Sequence, residues 1–87
     1  MTNFLSETTQ EFDRDYRNIR KKVNLQERLK KKMKEILTNP YHYKTLRNVF
    51  KNKRRVHIGS FVLVFEIIEA ESMIRFHQFK HHDEVYE

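Results

Sequence analysis

Apolar side chains recur along this chain at changing intervals, and each interval implies a different local structure. Phe12, Tyr16, Ile19 and Val23 follow one another at steps of four, three and four, which lines them up on one side of a helix expected from about Thr9 to Lys22. Thr8 and Glu11 have the spacing of a capping box, in which hydroxyl and carboxylate satisfy the unpaired amides of a helix start. Leu25, Leu29, Met33, Ile36 and Leu37 mark one face of a second helix, with Asn24 as its expected cap and Asn39-Pro40 as its stop. Almost nothing separates the two stripes, so an antiparallel helical hairpin is expected. Each stripe holds only four or five apolar residues. Neither helix can be stable alone, and both need a sheet to cover.

Beyond Pro40 the period shortens. Val56 and Ile58 alternate with Arg55 and His57, the pattern of a strand with one cationic or polar face. Phe61 to Ile68 is apolar on both faces over most of its length, which predicts a central strand. Glu69 to Ser72 make a turn, and Met73 to Phe79 return with Ile74 and Phe76 on one face and Arg75 and His77 on the other. Thr2 to Leu5 form a short candidate edge strand. Gly59, the only glycine, lies between the cationic strand and the apolar one, where a turn needs a permissive backbone. The predicted fold class is α+β: one domain over residues 1–87, with an N-terminal helical hairpin packed on one face of a small, mainly antiparallel sheet of three to four strands. The opposite sheet face is left to carry Arg55, His57, Arg75 and His77.

Composition narrows the function classes. A chain of 87 residues buries roughly 60–65% of its unfolded surface and supports one modest core. It has no cysteine, which excludes disulfides and thiolate metal ligands. The start MTNFLSETTQEFD has neither a basic nor an apolar leader region, and the longest apolar run, Phe61 to Phe65, is too short to span a bilayer. The expectation is a soluble, cytoplasmic protein without a membrane partner. Charge is unevenly spread. Fourteen Lys or Arg and two acids lie between Arg20 and Arg55, a net of +12, whereas the rest of the chain holds four bases and ten acids, a net of −6. A one-sided positive field of this kind attracts polyanions.

The basic segment also carries recognisable motifs. K-x-L-R at Lys44 to Arg47, R-R-V-H-I-G-S-F-V-L-V-F at Arg54 to Phe65, and H-H-D-E-V-Y at His81 to Tyr86 resemble the RelE/ParE toxin superfamily of type II toxin–antitoxin systems. That family shows K-x-L-K, R-x-R-x-G-x-Y-R-x-x-Y and a terminal H-R-x-x-V-Y. The resemblance implies a RelE-like fold and a RelB-like antitoxin as cognate partner. It also implies action on the ribosome and its mRNA, cut in the A site by an endoribonuclease that needs no cofactor. ParE-like members instead inhibit DNA gyrase without cleaving RNA, and a degenerate member could bind RNA and antitoxin without cutting. Lys44 and Arg47 match the first basic pair, and Arg55 matches the first Arg of R-x-R-x-G. His57 stands for the second Arg, Phe61 for the tyrosine, and Val62 for the Arg that follows it. His81 and Tyr86 match the terminal motif, with His82 in place of its Arg.

Cleavage by 2′-hydroxyl attack needs a base, an acid and cations for the phosphate. The candidate catalytic residues are therefore Arg55, His57, Lys80, His81, His82 and Tyr86, and the candidate RNA- and phosphate-binding residues are Lys44, Arg47, Lys51, Lys53 and Arg54. Arg54 and Arg55 have no acidic neighbour in sequence to explain them structurally. No metal is expected at His77, His81 and His82, because adjacent strand residues point to opposite faces and no carboxylate or cysteine set completes a site.

Overall fold

A computed structural model describes residues 3–45 and 53–85. Its elements are β1 (Leu5–Thr8), α1 (Gln10–Asn18), α2 (Val23–Thr38), β2 (Lys44–Thr45), β3 (Lys53–Ile58), β4 (Phe61–Ile68), β5 (Met73–His81) and α3 (His82–Val85), with single 3-10 turns at Pro40–His42 and Glu69–Glu71. The strands form one sheet in the order β1-β5-β4-β3-β2. β1 runs parallel to β5, and every other pair is antiparallel.

The α+β class and the helices on one sheet face are as expected, with β4 in the middle of the sheet. The strand count is five rather than three to four, because the two-residue β2 adds to the far edge. β1 falls at Leu5–Thr8 rather than Thr2 to Leu5. Thr8 therefore belongs to a strand, and Thr9 is the cap of α1: its hydroxyl accepts from the Phe12 amide at 3.0 Å while donating to the His77 carbonyl at 2.8 Å. Thr8 instead donates to Asp13 at 2.8 Å. α1 stops at Asn18, short of Lys22, and α2 starts at Val23 with no side-chain cap, so Asn24 lies inside the helix.

The core lies between the helices and the inner face of the sheet. Phe12 and Ile19 from the first helical segment and Leu29 and Ile36 from α2 meet Ile58, Leu63, Phe65, Ile74, Phe76 and Phe79. Each fully buried side chain of this size is worth about 1.5–3 kcal/mol, and this burial is what stabilises a nine-residue helix too short to persist alone. Phe76 and Phe79 both face the core despite their odd spacing. Val64 pairs with Gln78 but Phe65 with Phe76, so His77 is an extra residue at a β-bulge, and the bulge reverses the alternation expected along β5.

β3 and β4 are joined through Gly59 and Ser60. Gly59 has φ +62°, and Ser72 is the only other described residue with positive φ. A left-handed first residue followed by an ordinary second one is the type II′ hairpin pattern, which matches the twist of the flanking strands.

Candidate functional site

β3 presents its cations in alternation. The register pairs Lys53 with Glu66, Arg55 with Val64 and His57 with Val62, all on the sheet face away from the helices. β2 begins at Lys44, which pairs with Arg55, so among the described residues no strand pairs with the β3 edge beside Val56 and His57. A recess of about 430 Å³ forms there, lined by His42, Tyr43, Lys44, Arg55, Val56 and His57. Arg55 Nη1 lies 3.1 Å from His57 Nε2. A guanidinium only donates, so Nε2 accepts and the imidazole proton sits on Nδ1. Lys44 and His57 are exposed, so cations and a proton-transfer group meet solvent side by side. His42 was not among the expected site residues. Its only signal in the sequence is its place two residues before Lys44, and the 3-10 turn is what aims it at the recess.

The remaining expected residues divide sharply. Arg54 points to the helix side of the sheet, where Nη1 donates to the Tyr43 carbonyl at 2.7 Å and the guanidinium lies 5.5 Å from the Tyr41 ring centre. Arg54 thus has the structural partner its sequence neighbours did not supply, and it does not line the recess. Arg75 is paired with Glu7, and its Nη1 lies 3.6 Å from Glu66. The hydrogen bond to Glu7 holds its pKa above the ordinary arginine value. His77 Nε2 lies 2.8 Å from Glu66 Oε1. The β5 half of the outer face is therefore neutralised by acids, and positive charge is concentrated on β2 and β3.

Lys80 is also taken up. Its ammonium lies 2.7 Å from Asp15 Oδ1 and 3.2 Å from Glu11. Burial alone would lower its pKa, but the hydrogen bonds and charges of Asp15 and Glu11 outweigh that and hold it above the usual lysine value. A cation beside two carboxylates is poorly placed to receive a phosphate.

His81 pairs with Phe61, and their rings meet edge to face at 5.8 Å. Phe61 packs on the core cluster, so His81 lies on the helix side of the sheet and His57 on the other. The structure brings both to the Gly59 end of the sheet without placing them on one face. His81 and His82 do not diverge as strand neighbours would. The strand ends at His81, α3 begins at His82, and the two rings lie 4.5 Å apart. Asp83 adds a carboxylate within 3.5 Å of His81 Nδ1 and 3.0 Å of His82 Nε2. Both premises for excluding a metal here are thus overturned. Val62, in register with His57 and Lys80, is fully buried. Arg47, Lys51 and Tyr86 lie outside the described residues.

Comparison with known proteins decides the family. Residues 7–86 match the profile of the ParE toxin of the type II toxin–antitoxin system parDE. The chain belongs to this toxin family, within the RelE/ParE superfamily. A protein named RelE4 from Methanocaldococcus jannaschii is 51% identical over 57 residues, covering 64% of this chain and 61% of that relative. A Methanosarcina mazei protein is 38% identical over 78 residues, 87% of this chain and 91% of its own. Among solved structures, the Escherichia coli DinJ–YafQ toxin–antitoxin complex aligns at TM-score 0.80 and 17% identity over 99% of this chain and 100% of that one. A mutant of E. coli toxin RelE in the free state aligns at TM-score 0.80 and 21% identity over 98% and 92%. At these identities the structural likeness establishes the fold, and this toxin-family chain shares it along nearly its whole length.

Proposed function

We propose that this toxin is a ribosome-dependent mRNA interferase, an endoribonuclease that cuts message in the ribosomal A site and is neutralised by a cognate antitoxin. The observation that carries the reading is the recess at the β2–β3 edge, where His57, Arg55 and Lys44 come together at an exposed surface. In the mechanism the Arg55 guanidinium leaves His57 for the scissile phosphate, freeing Nε2 to take the 2′-hydroxyl proton. Lys44 and Lys53 hold neighbouring phosphates, and Arg55 stabilises the charge that grows on the non-bridging oxygens. His42, on the recess wall, is placed to hand a proton to the leaving 5′-oxygen. A shallow basic surface relies on the ribosome to hold the message, so binding is salt-sensitive. His81 and His82 contribute at the neighbouring end of the sheet, and the antitoxin covers the basic surface with an acidic, amphipathic segment.

The test is cell-free translation with purified protein followed by primer extension on the message. Cleavage at A-site codons that disappears with His57→Ala and Arg55→Ala supports the reading. A second reading, gyrase inhibition without RNA cleavage, draws on the ParE family match and on Val62 standing where RelE-like nucleases have Arg. Intact message together with blocked DNA supercoiling would decide for it.

A further inference from the structure

We infer that His81, His82 and Asp83 form a binding site for a divalent cation of the zinc class. Each imidazole has one ring nitrogen held by a hydrogen bond outside the cluster's own side chains. His82 Nδ1 lies 3.2 Å from the Ser60 carbonyl, which can only accept, so Nδ1 is the donating nitrogen and Nε2 is the one left to bind a metal. That Nε2 faces Asp83 Oδ1 at 3.0 Å. His81 Nδ1 accepts the Asp83 backbone N–H at 3.3 Å, a long bond that metal binding at Nδ1 would replace, and Asp83 Oδ2 lies 3.5 Å from the same nitrogen. One ligand atom from each of the two imidazoles and the carboxylate thus falls within 4.8 Å of the others.

Two imidazoles and one carboxylate with a fourth position open is a zinc-type donor set. A ring nitrogen bonded to a backbone carbonyl, as His82 is to Ser60, is the usual outer support of a metal-binding histidine. The support is anchored in the fold, because the His82 amide also donates to the Ser60 carbonyl at 2.9 Å and Phe61 backs the His81 ring. Imidazole selects zinc, nickel, copper or cobalt over magnesium and calcium, which prefer all-oxygen sites. Loading would occupy the lone pairs that proton transfer at His81 or His82 needs. That consequence for activity, unlike the binding itself, rests on the nuclease reading.

The experiment is calorimetric titration of EDTA-stripped, desalted protein with Zn2+, repeated with Co2+ followed by visible absorption and with Mg2+ as the hard-cation control. The expected result is one Zn2+ per chain, a tetrahedral Co2+ spectrum that Zn2+ displaces, and no Mg2+ uptake. His82→Ala and Asp83→Asn should each weaken Zn2+ by about tenfold or more, and His57→Ala should leave it unchanged. Asp83 is exposed, so Asp83→Asn reports on ligation even if His82→Ala loosens the turn. No saturable uptake at millimolar Zn2+, parent-like affinity in both ligand variants, or loss with His57→Ala would overturn the site. Because the readout is binding, it stands or falls separately from message cleavage.

Discussion

Replacing Asp15 by alanine tests how the edge of the sheet is held. β1 covers β5 only as far as Phe76, and the strand continues to His81. Beyond β1 the first helical turns take over the exposed edge. Thr9 N–H donates to the Phe76 carbonyl at 3.1 Å, and Asp15 Oδ2 accepts the Phe79 amide at 2.9 Å while Oδ1 accepts Lys80 Nζ at 2.7 Å. Asp15 is only 4% exposed and is the one buried charged side chain among the described residues. Its loss leaves the buried Phe79 amide without a partner, at about 1–3 kcal/mol. Lys80 keeps Glu11, so the weakened ion pair adds only about 1 kcal/mol. The sum is about 2–4 kcal/mol, a large part of the stability of a small domain. In urea unfolding at neutral pH, with a slope of about 1 kcal/mol/M for a domain of this size, the midpoint should fall by about 2 M or more with the slope unchanged. Asp15→Asn keeps an acceptor for Phe79 and should cost about half as much. A double-mutant cycle with Lys80→Met isolates the ion-pair share. If Asp15→Ala unfolds within about 0.5 kcal/mol of the parent, as an ordinary surface change would, the edge is held by something else and the reasoning fails.

Gly59→Ala puts a side chain on a left-handed backbone (φ +62°) whose new Cβ has ordinary space, 3.4 Å from Arg28 Nη1. Conformational strain alone should then cost about 1–2 kcal/mol, and an unchanged thermal midpoint would contradict the turn assignment. Val62→Arg, which writes in the arginine common in RelE-like nucleases, places a charge at a fully buried position. It should lower the melting temperature rather than raise cleavage, the burial of an unpaired charge being the larger effect; a stable and more active variant would refute this. Lys44→Ala and Lys53→Ala should each reduce the slope of log affinity against log salt for single-stranded RNA by about 0.7, measured by fluorescence anisotropy. Arg54→Ala should leave that slope unchanged and instead lower stability by about 1–3 kcal/mol through the lost bond to the Tyr43 carbonyl. Equal slopes for Arg54 and Lys44 variants would place Arg54 on the binding surface after all.

Local pattern was enough for the elements whose partners are near in sequence. Phe61 to Ile68 reads as a central strand because both of its faces are apolar, and it is the third strand of five. The turn at Gly59 and the helical stripes were legible for the same reason, since period and backbone permissiveness are properties of a short window. The helix ends were misplaced by a few residues because two adjacent threonines, Thr8 and Thr9, both satisfy a cap pattern. Only the pairing of β1 with β5 assigns one to the strand and the other to the cap. The bulge at His77 was invisible, as nothing in Phe76 to Phe79 announces which residue will be left unpaired.

The candidate site shows the same division more strongly. From residue types alone the sequence determined a basic middle segment, a histidine within a cationic strand, a histidine-rich end and the motifs of the toxin family. It could not say which face of the sheet each cation takes. Arg54 and Arg55 are adjacent and alike in chemistry, yet strand alternation sends one to Tyr43 and Tyr41 and the other to the recess. Lys80 was indistinguishable from a phosphate clamp until the fold brought Asp15 to it across 65 positions of sequence. His81, His82 and Asp83 converge only because the strand ends between the two histidines. Charge and period are written locally, but the partner that neutralises a charge or completes a ligand set is chosen by packing between distant segments. Tertiary structure alone therefore decided which of the expected residues form a surface and which hold the fold together.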